Sequence, residues 1–307
     1  MRRQGAGVAY GLAAYIAWGI SPIYFKLVAS IPPMEVLAHR VVWSVLLLAF
    51  LLTVRSRWGE IRAALRRRRT MINLCITTLL IANNWYWFIW AVSNDHVLQA
   101  SLGYFINPLV NVGLGVLFLR ERLTRAQVAG LMLAGAGVLY LAMAHEGVPW
   151  VALMLAFSFG FYAMLRKRSS VEAMSGLMIE TTLLLPAGMI FLLWIGMKGE
   201  GTFGSGTPTQ HLLLFLAGAV TLFPLLWFTE AARRVRLSTL GFMQYIAPTG
   251  QFLLAVLLYR ETFTGAHAVA FTCIWAALVI YTVDSAIRLQ RNRRMRDLAI
   301  KAGAPAR

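Results

Sequence analysis

Two ionisable side chains inside long apolar stretches are the first residues of this sequence that could do chemistry. Arg40 follows the start of one such stretch, and Glu180 lies in another, in the second half of the chain. An ionisable group inside a bilayer costs roughly 2.5–3.5 kcal/mol on insertion scales, so it is a functional candidate by default. Arg40 could hold an anionic group of a ligand. Glu180 could exchange protons if its carboxylate meets alternating sides of a membrane.

Both side chains also have structural alternatives. Arg40 could extend its head to the lipid headgroups or pair with Glu35, and we expect one of these two roles for it. Glu180 could be a carboxylate hydrogen-bonded to neighbouring hydroxyls, such as those of Thr181 or Thr182.

A second set of candidates combines prolines, amides and aromatic rings. Pro108 and Pro248 have the same separation along the chain as Arg40 and Glu180, and each is followed three residues later by an amide. Proline removes a helical hydrogen bond, which would free the carbonyls of Tyr104 and Gln244. Freed backbone groups and amides near the midplane line substrate sites in transporters. The substrate-pathway candidates are Trp18, Asn83, Asn84, Trp87, Tyr104, Asn107, Pro108, Asn111, Gln244, Pro248 and Gln251.

The same candidates have a second interpretation as packing elements. Prolines kink many membrane helices, and amides often hydrogen-bond neighbouring helices. The aromatic and amide cluster "NNWYW" at 83–87 would suit a flat, amphipathic ligand, but it could equally fill space between helices.

The elements that must position these residues are apolar windows long enough to cross a bilayer. The chain is 59% hydrophobic and 13% charged, which is more apolar than a soluble domain. A span needs roughly 17–25 such residues. The sequence therefore predicts an all-α, polytopic membrane protein with ten transmembrane helices near 5–28, 35–54, 71–91, 98–119, 126–143, 149–165, 174–195, 211–232, 236–258 and 265–284.

Charge placement predicts the orientation. The formal net charge is +17, and most cations lie in alternate links, such as Arg66 to Arg69, and in the C-terminal tail. This is the positive-inside pattern, which places both termini in the cytoplasm of a multi-pass inner-membrane protein. The basic links are expected to meet anionic lipid headgroups, so a nucleic-acid partner is not expected.

An internal match at the separation of Arg40 and Glu180, which we call the repeat offset, predicts the architecture. "YFINPLVNVGLGVLFLRERLTRA" aligns with "QYIAPTGQFLLAVLLYRETFTGA", sharing the proline and an "RE..T" pattern. The match predicts five-helix halves at 5–143 and 149–284, followed by a basic cytoplasmic tail at 285–307. Five is odd, so the halves must be inverted, as in many secondary transporters. Inversion puts Arg40 and Glu180 near opposite surfaces, and no salt bridge between them is expected.

Several of these stretches together are similar to a known family. "AAYIAWGISPIYFK", "EVLAHRVVWS", "NNWYWFIWAV" and "ASLGYFINPL" resemble RarD-type proteins within the EamA-like drug/metabolite transporter superfamily. The resemblance implies a ten-helix inner-membrane protein with two EamA-like units. It also implies export of small molecules, and the family name is associated with chloramphenicol sensitivity.

The sequence points to no enzyme, cofactor or metal site. It lacks a phosphate-binding GxxxxGK[ST] loop, HExxH, CxxC and GxSxG. We therefore expect an exporter or exchanger of small organic metabolites or drugs that works by alternating access. The alternatives are a membrane-embedded enzyme acting on lipid-like substrates and a non-transporting scaffold. Substrate, direction, coupling ion and oligomeric state do not follow from the sequence.

Overall fold

A computed structural model describes residues 2–119, 123–146, 148–167, 169, 171–232, 234 and 243–301. The described residues are mainly helical and contain no β-strand. Short π-helical turns extend two of the helices at Ala142–Glu146 and Leu254–Leu258. The helices are α1 Arg2–Leu27, α2 Pro33–Val54, α3 Trp58–Leu65, α4 Arg68–Ser93, α5 Val97–Leu119, α6 Arg125–Leu141, α7 Trp150–Lys167, α8 Ala173–Met197, α9 Thr202–Ser205, α10 Pro208–Ala232, α11 Ile246–Leu253 and α12 Gly265–Lys301.

The long helices agree with a multi-span membrane protein. Among the described residues, seven helices are long and apolar enough to cross a membrane, namely α1, α2, α4, α6, α8, α10 and α12. Two shorter apolar helices cover Trp150–Arg166 and Ile246–Leu258. With α5, which covers the window at 98–119, each of the ten predicted windows contains a helix. Ten crossings stay a prediction, since length and composition support seven.

The chain divides into two compact units, and the larger one contains Met1–Asn107 and Trp150–Thr262. In this unit α1 packs against α10 and α11, α2 against α8 and α10, and α4 against α7 and α8. Its core consists of fully buried aliphatic side chains, including Leu48, Leu74, Ile89, Leu155 and Leu222. This packing brings Arg40 on α2 and Glu180 on α8 into one unit.

Glycine allows two of these helix pairs to approach closely. A Cβ atom on Gly103 of α5 would lie 2.7 Å from the carbonyl oxygen of Ala152 on α7. A Cβ atom on Gly218 of α10 would lie 2.7 Å from the carbonyl carbon of Trp43 on α2. Only a residue without a Cβ fits at either contact.

The two symmetric prolines lie in different surroundings. Met243 is helical, Gln244 and Tyr245 form a turn, and α11 begins at Ile246. The turn therefore lies at Gln244. The carbonyl of Gln244 cannot accept a helical hydrogen bond from Pro248, because proline has no backbone N–H group. At Pro108, by contrast, α5 continues without a break to Leu119. The side chains of Pro108 and Asn111 lie outside the described residues.

The smaller unit contains Pro108–Pro149 and Phe263–Arg307, in which α6 packs against α12. Thr124 caps α6 by accepting a hydrogen bond from the Gln127 amide, and the Gln127 side chain accepts one from the Thr124 amide. The predicted tail at 285–307 begins inside α12, which is described as far as Lys301. These units are clusters in space. The predicted halves at 5–143 and 149–284 divide the chain differently and stay a prediction.

Candidate functional site: two buried charges in the larger unit

Arg40 lies two turns into α2 and is enclosed by aromatic side chains. The residue is 9% exposed. Its guanidinium carbon lies 4.2 Å from the centre of the Trp85 ring on α4 and 5.7 Å from the centre of the Phe25 ring on α1. Tyr24 and Tyr104 are also near enough to interact electrostatically with the guanidinium. Three helices, α1, α4 and α5, thus surround one cation.

The expected structural roles of Arg40 are wrong. Its 9% exposure does not fit a head that reaches the lipid headgroups. Glu35 is engaged elsewhere, because its carboxylate accepts hydrogen bonds from the Thr202 amide at 2.7 Å and the Thr202 hydroxyl at 3.0 Å. A carboxylate is stabilised there by the free N–H at the start of α9. Among the described residues no carboxylate pairs with Arg40, and its Nε atom has no hydrogen-bond partner.

Glu180 lies two turns into α8, and its carboxylate has three partners. The residue is fully buried. The Thr77 hydroxyl donates to Oε1 at 2.6 Å, the Tyr162 hydroxyl donates to Oε2 at 3.2 Å, and Arg166 Nε lies 3.8 Å from Oε1. The expected partner Thr181 instead donates to the carbonyls of Leu177 and Met178. The predicted local hydroxyl partners are therefore wrong, and the true ones come from α4 and α7.

The sequence prediction missed Arg166, the cation beside Glu180. The structure extends α7 to Lys167, beyond the predicted window that ends at residue 165. Tyr162 and Arg166 are four residues apart on this helix, so they share a face. That spacing, followed across the predicted helix end, could have identified the pair.

The side chain of Asn84 contacts one other predicted pathway residue, Tyr104. Its Nδ2 donates to the Leu155 carbonyl and to the Ser158 hydroxyl, both at 3.0 Å. Its Oδ1 accepts from the Tyr104 hydroxyl at 3.5 Å. Because Tyr104 also interacts with Arg40, the structure brings Asn84, Tyr104 and Arg40 together. Asn83 is half-buried and takes no part in these contacts.

A second cluster forms where α1, α5 and α11 meet in the larger unit. Gln251 Nε2 donates to the Trp18 carbonyl at 3.2 Å, and the Ser101 hydroxyl donates to the Pro248 carbonyl at 2.8 Å. The Gln251 Oε1 and Asn107 Oδ1 atoms are buried and have no hydrogen-bond partner within the described structure. Polar atoms in this state are the kind that a bound molecule or water satisfies.

The aromatic candidates separate into different groups. The Trp18 ring packs against Tyr15 and Phe228, whereas Trp87 contacts Trp90 and Trp150 with ring centres 5.6 and 4.7 Å apart. The aromatic ring over Arg40 is that of Trp85, which the sequence analysis left out of its candidate set. The sequence of adjacent aromatic residues does not show which ring faces the cation.

Comparison with known proteins decides the family. The profile of the EamA-like transporter family matches residues 5–143 and 147–283. The chain belongs to the EamA-like transporter family. An uncharacterized transporter from Vibrio cholerae is 47% identical over 94% of this chain and 96% of its own. Protein RarD from Escherichia coli is 47% identical over 93% of this chain and 96% of its own.

The predicted resemblance to RarD-type EamA-like transporters is therefore confirmed. Another similar protein, an uncharacterized transporter from Bacillus subtilis, is 43% identical over 90% of this chain and 93% of its own. A crystal structure covering 90% of this chain and 96% of its own has a TM-score of 0.57 at 20% identity, which shows a shared fold. This chain is a multi-span membrane transporter of the EamA-like family.

Proposed function

We propose that this transporter is a secondary exporter or exchanger of small organic metabolites or drugs in the bacterial inner membrane. It works by alternating access between two inverted five-helix halves at 5–143 and 149–284. Its substrate pathway includes Arg40, Asn84, Tyr104 and Gln251 in the larger unit. The sequence has no nucleotide-binding loop, which favours transport driven by a gradient over transport driven by ATP.

The observation that carries this proposal is the repetition of helix positions at the repeat offset. The starts of α2 and α8 are Pro33 and Ala173, those of α4 and α10 are Arg68 and Pro208, and those of α6 and α12 are Arg125 and Gly265. The separation is identical in the three pairs, and it equals that of Arg40 and Glu180. Separate helices would have no reason to keep one offset along the chain.

Helix packing within the larger unit repeats between the two predicted halves. If α1, α2 and α4 are exchanged with α7, α8 and α10, the α1–α10 contact becomes α4–α7, and α2–α10 becomes α4–α8. The α2–α8 contact maps onto itself. The family profile also matches the chain twice, at 5–143 and 147–283. These patterns support two related halves, the usual frame of alternating access.

Charge supports inversion and orientation. The link between α2 and α4 carries exposed arginines, including Arg55, Arg66 and Arg67. The corresponding link between α8 and α10 contains Lys198 as its one cation. Cations concentrate in cytoplasmic links, so the two corresponding links lie on opposite sides of the membrane. We therefore place both termini in the cytoplasm and the basic links against anionic headgroups.

Two other functions make different demands on the structure. A membrane enzyme needs acidic or histidine side chains facing one another, and the described residues bring no three His, Cys, Asp or Glu side chains together as a metal site would need. A scaffold needs no buried polar atoms without partners, yet Arg40, Asn107 and Gln251 each carry an atom that no described residue satisfies. Transport accounts for these atoms best.

Comparative metabolite profiling tests the proposed function. Media from cells that lack the protein and from cells that overproduce it should differ in one or more small organic molecules. The same molecules should exchange across vesicles containing the purified protein. Identical media, together with no exchange of any candidate molecule in the vesicles, would contradict transport.

Cysteine labelling tests the orientation. Both native cysteines, Cys75 and Cys273, are free and can be replaced by serine. In that background, Arg55→Cys and Ser205→Cys place one thiol in each kind of link, at exposed positions. A membrane-impermeant reagent added to intact spheroplasts should label the cysteine at 205 and leave the one at 55 unmodified. The opposite result would invert the topology.

A further inference from the structure

We propose that the Arg40 site binds the anionic group of an organic acid with a planar apolar body, and that such anions are the substrate class. This inference rests on the proposed transport function. The site consists of the Arg40 guanidinium, the Trp85 and Phe25 rings that cover it, and the neighbouring tyrosines Tyr24 and Tyr104.

The charge of the site is not neutralised by the protein described here. In the larger unit, the buried or paired carboxylates contact groups other than Arg40. These contacts are Glu35 with Thr202, Glu180 with Arg166, Asp95 with Lys26, Glu60 and Glu172 with Arg57, Glu230 with Arg234, and Glu261 with the Val97 amide. An unpaired buried charge is costly, and a ligand carboxylate would remove most of that cost. The same site would repel a cationic drug.

The guanidinium retains a hydrogen-bond donor that no described residue satisfies. The Arg40 guanidinium carbon lies over the Trp85 ring, 4.2 Å from its centre, and the N–H donors of a guanidinium project in the plane of the group. Nε is buried and has no partner among the described residues. A planar carboxylate can accept two parallel hydrogen bonds from such an edge, which a rounder or neutral group cannot do as well.

Aromatic rings next to the cation favour a planar apolar body on the ligand. Phe25 packs edge-on against Phe88, with ring centres 5.4 Å apart, and Phe88 contacts Tyr104 at 5.8 Å. Asn84 adds a polar group at Tyr104. Ligand sites of this kind combine apolar walls with a few polar groups that fix orientation.

Binding of benzoate and benzamide to the purified full-length protein tests this inference. The two probes have nearly the same shape, and only benzoate carries a charge. In equilibrium dialysis with radiolabelled benzoate, unlabelled benzamide should compete at least tenfold more weakly than unlabelled benzoate. Equal competition, or no benzoate binding by folded wild-type protein, would overturn the proposal. This comparison requires no variant.

Two variants locate the binding. Arg40→Met should weaken benzoate binding at least tenfold, and Arg40→Lys should weaken it less, because lysine keeps the charge but loses the two-pronged edge. Lys198→Met is the matched control, since Lys198 also lies over a tryptophan, Trp194 at 3.9 Å, but is exposed. Unchanged affinity in folded Arg40→Met protein, or an equal loss in Lys198→Met, would overturn the proposal.

The two proposals can fail separately. Metabolite profiles that change only in neutral or cationic molecules would overturn the substrate class and leave transport intact. Benzoate binding that depends on Arg40, without any exchange of organic molecules by the vesicles, would support the anion site and contradict transport.

Discussion

Arg40 and Glu180 hold positions related by the repeat offset, yet their surroundings are opposites. Glu180 is fully buried and has a cation and two hydroxyl donors as partners. Arg40 is almost as buried, but aromatic rings surround it and no described carboxylate pairs with it. The difference indicates that one buried charge stabilises the fold, whereas the other is left for a ligand.

The partners of Glu180 also matter for proton coupling, the role that the sequence suggested for this carboxylate. A carboxylate held by Thr77, Tyr162 and Arg166 ties α4 and α7 to α8. These contacts favour the structural role, and proton coupling at Glu180 stays a prediction. Removing a charge that stabilises the fold should lower stability, whereas removing a charge that couples protons should change the pH dependence of transport. Variants that neutralise Glu180 and Arg40 can therefore separate these roles.

The largest expected effect is that of Glu180→Ala. It leaves the Arg166 cation without its carboxylate and removes the acceptor of two hydroxyls, and breaking a buried pair in this way costs roughly 3–5 kcal/mol. We expect a clear loss of stability, measured as a lower unfolding midpoint in detergent. Glu180→Gln combined with Arg166→Met should recover part of that loss.

A different outcome would change the assignment of Glu180. If Glu180→Gln keeps wild-type stability and transport loses its dependence on pH, the carboxylate couples protons and does not mainly stabilise the fold. The matched control is Glu200→Gln, at an exposed carboxylate in the link before α9. It should change neither the unfolding midpoint nor the pH profile.

Arg40→Met should change the stability of the protein in the opposite direction to Glu180→Ala. Replacing a buried, unpaired charge with an apolar side chain of similar length removes its desolvation cost, so the protein should be unchanged or stabilised, by as much as about 4 kcal/mol. Transport should nevertheless fall at least tenfold. The measurement is the unfolding midpoint together with exchange activity in vesicles. A destabilised Arg40→Met protein would mean that Arg40 has a structural partner, and the contrast with Glu180 would disappear.

The sequence could predict the fold because long apolar windows, basic links and a repeat offset are properties of the chain itself. Those signals placed α2, α4, α8 and α10 within a few residues of their observed bounds. The same offset paired Arg40 with Glu180. It could not give their partners, because Trp85 and Arg166 reach these charges from α4 and α7 only after the helices pack.

Glycine marks where that packing is tightest near the Arg40 site. Gly103→Ala would place a Cβ atom 2.7 Å from the Ala152 carbonyl oxygen, so α5 and α7 must separate. Overpacking of this kind costs about 1–3 kcal/mol. Because Tyr104 is the next residue, affinity for benzoate should fall as well. Both effects are measured on the same purified protein.

The matched control for Gly103→Ala is Gly196→Ala on α8. A Cβ atom there meets no described atom within 4 Å. Alanine is the better helix former by roughly 1 kcal/mol, so this variant should be as stable as wild type or slightly more stable. Equal losses in the two variants would show that the effect comes from losing glycine in general and not from the α5–α7 contact.

The smallest effect concerns Glu261, a carboxylate that accepts hydrogen bonds from backbone N–H groups. It follows the α11 segment and accepts hydrogen bonds from the Val97 and Leu98 amides at the start of α5, at 2.8 and 2.7 Å. Burial raises the pKa of Glu261 above its ordinary value of 4.5, although the two amide bonds oppose the shift. The folded protein therefore favours the protonated form, and this contribution to stability is present below pH 4.5 and lost as the pH rises through the folded pKa.

Glu261→Gln tests this direction of the pH dependence and extends the comparison to a half-buried charge. The amide oxygen of glutamine can still accept from one of the Val97 and Leu98 amides, which donate to different oxygens of Glu261. The ionisation that costs stability at neutral pH is gone. Because only wild type loses stability as Glu261 ionises, we expect the stability of wild type relative to Glu261→Gln to fall between pH 4 and pH 8, measured as the difference between their unfolding midpoints. A stability of wild type relative to the variant that rises between pH 4 and pH 8 would show that the charge itself stabilises the start of α5. Glu261, which is half-buried, would then resemble Glu180, and Arg40 would be the exception among these three charges.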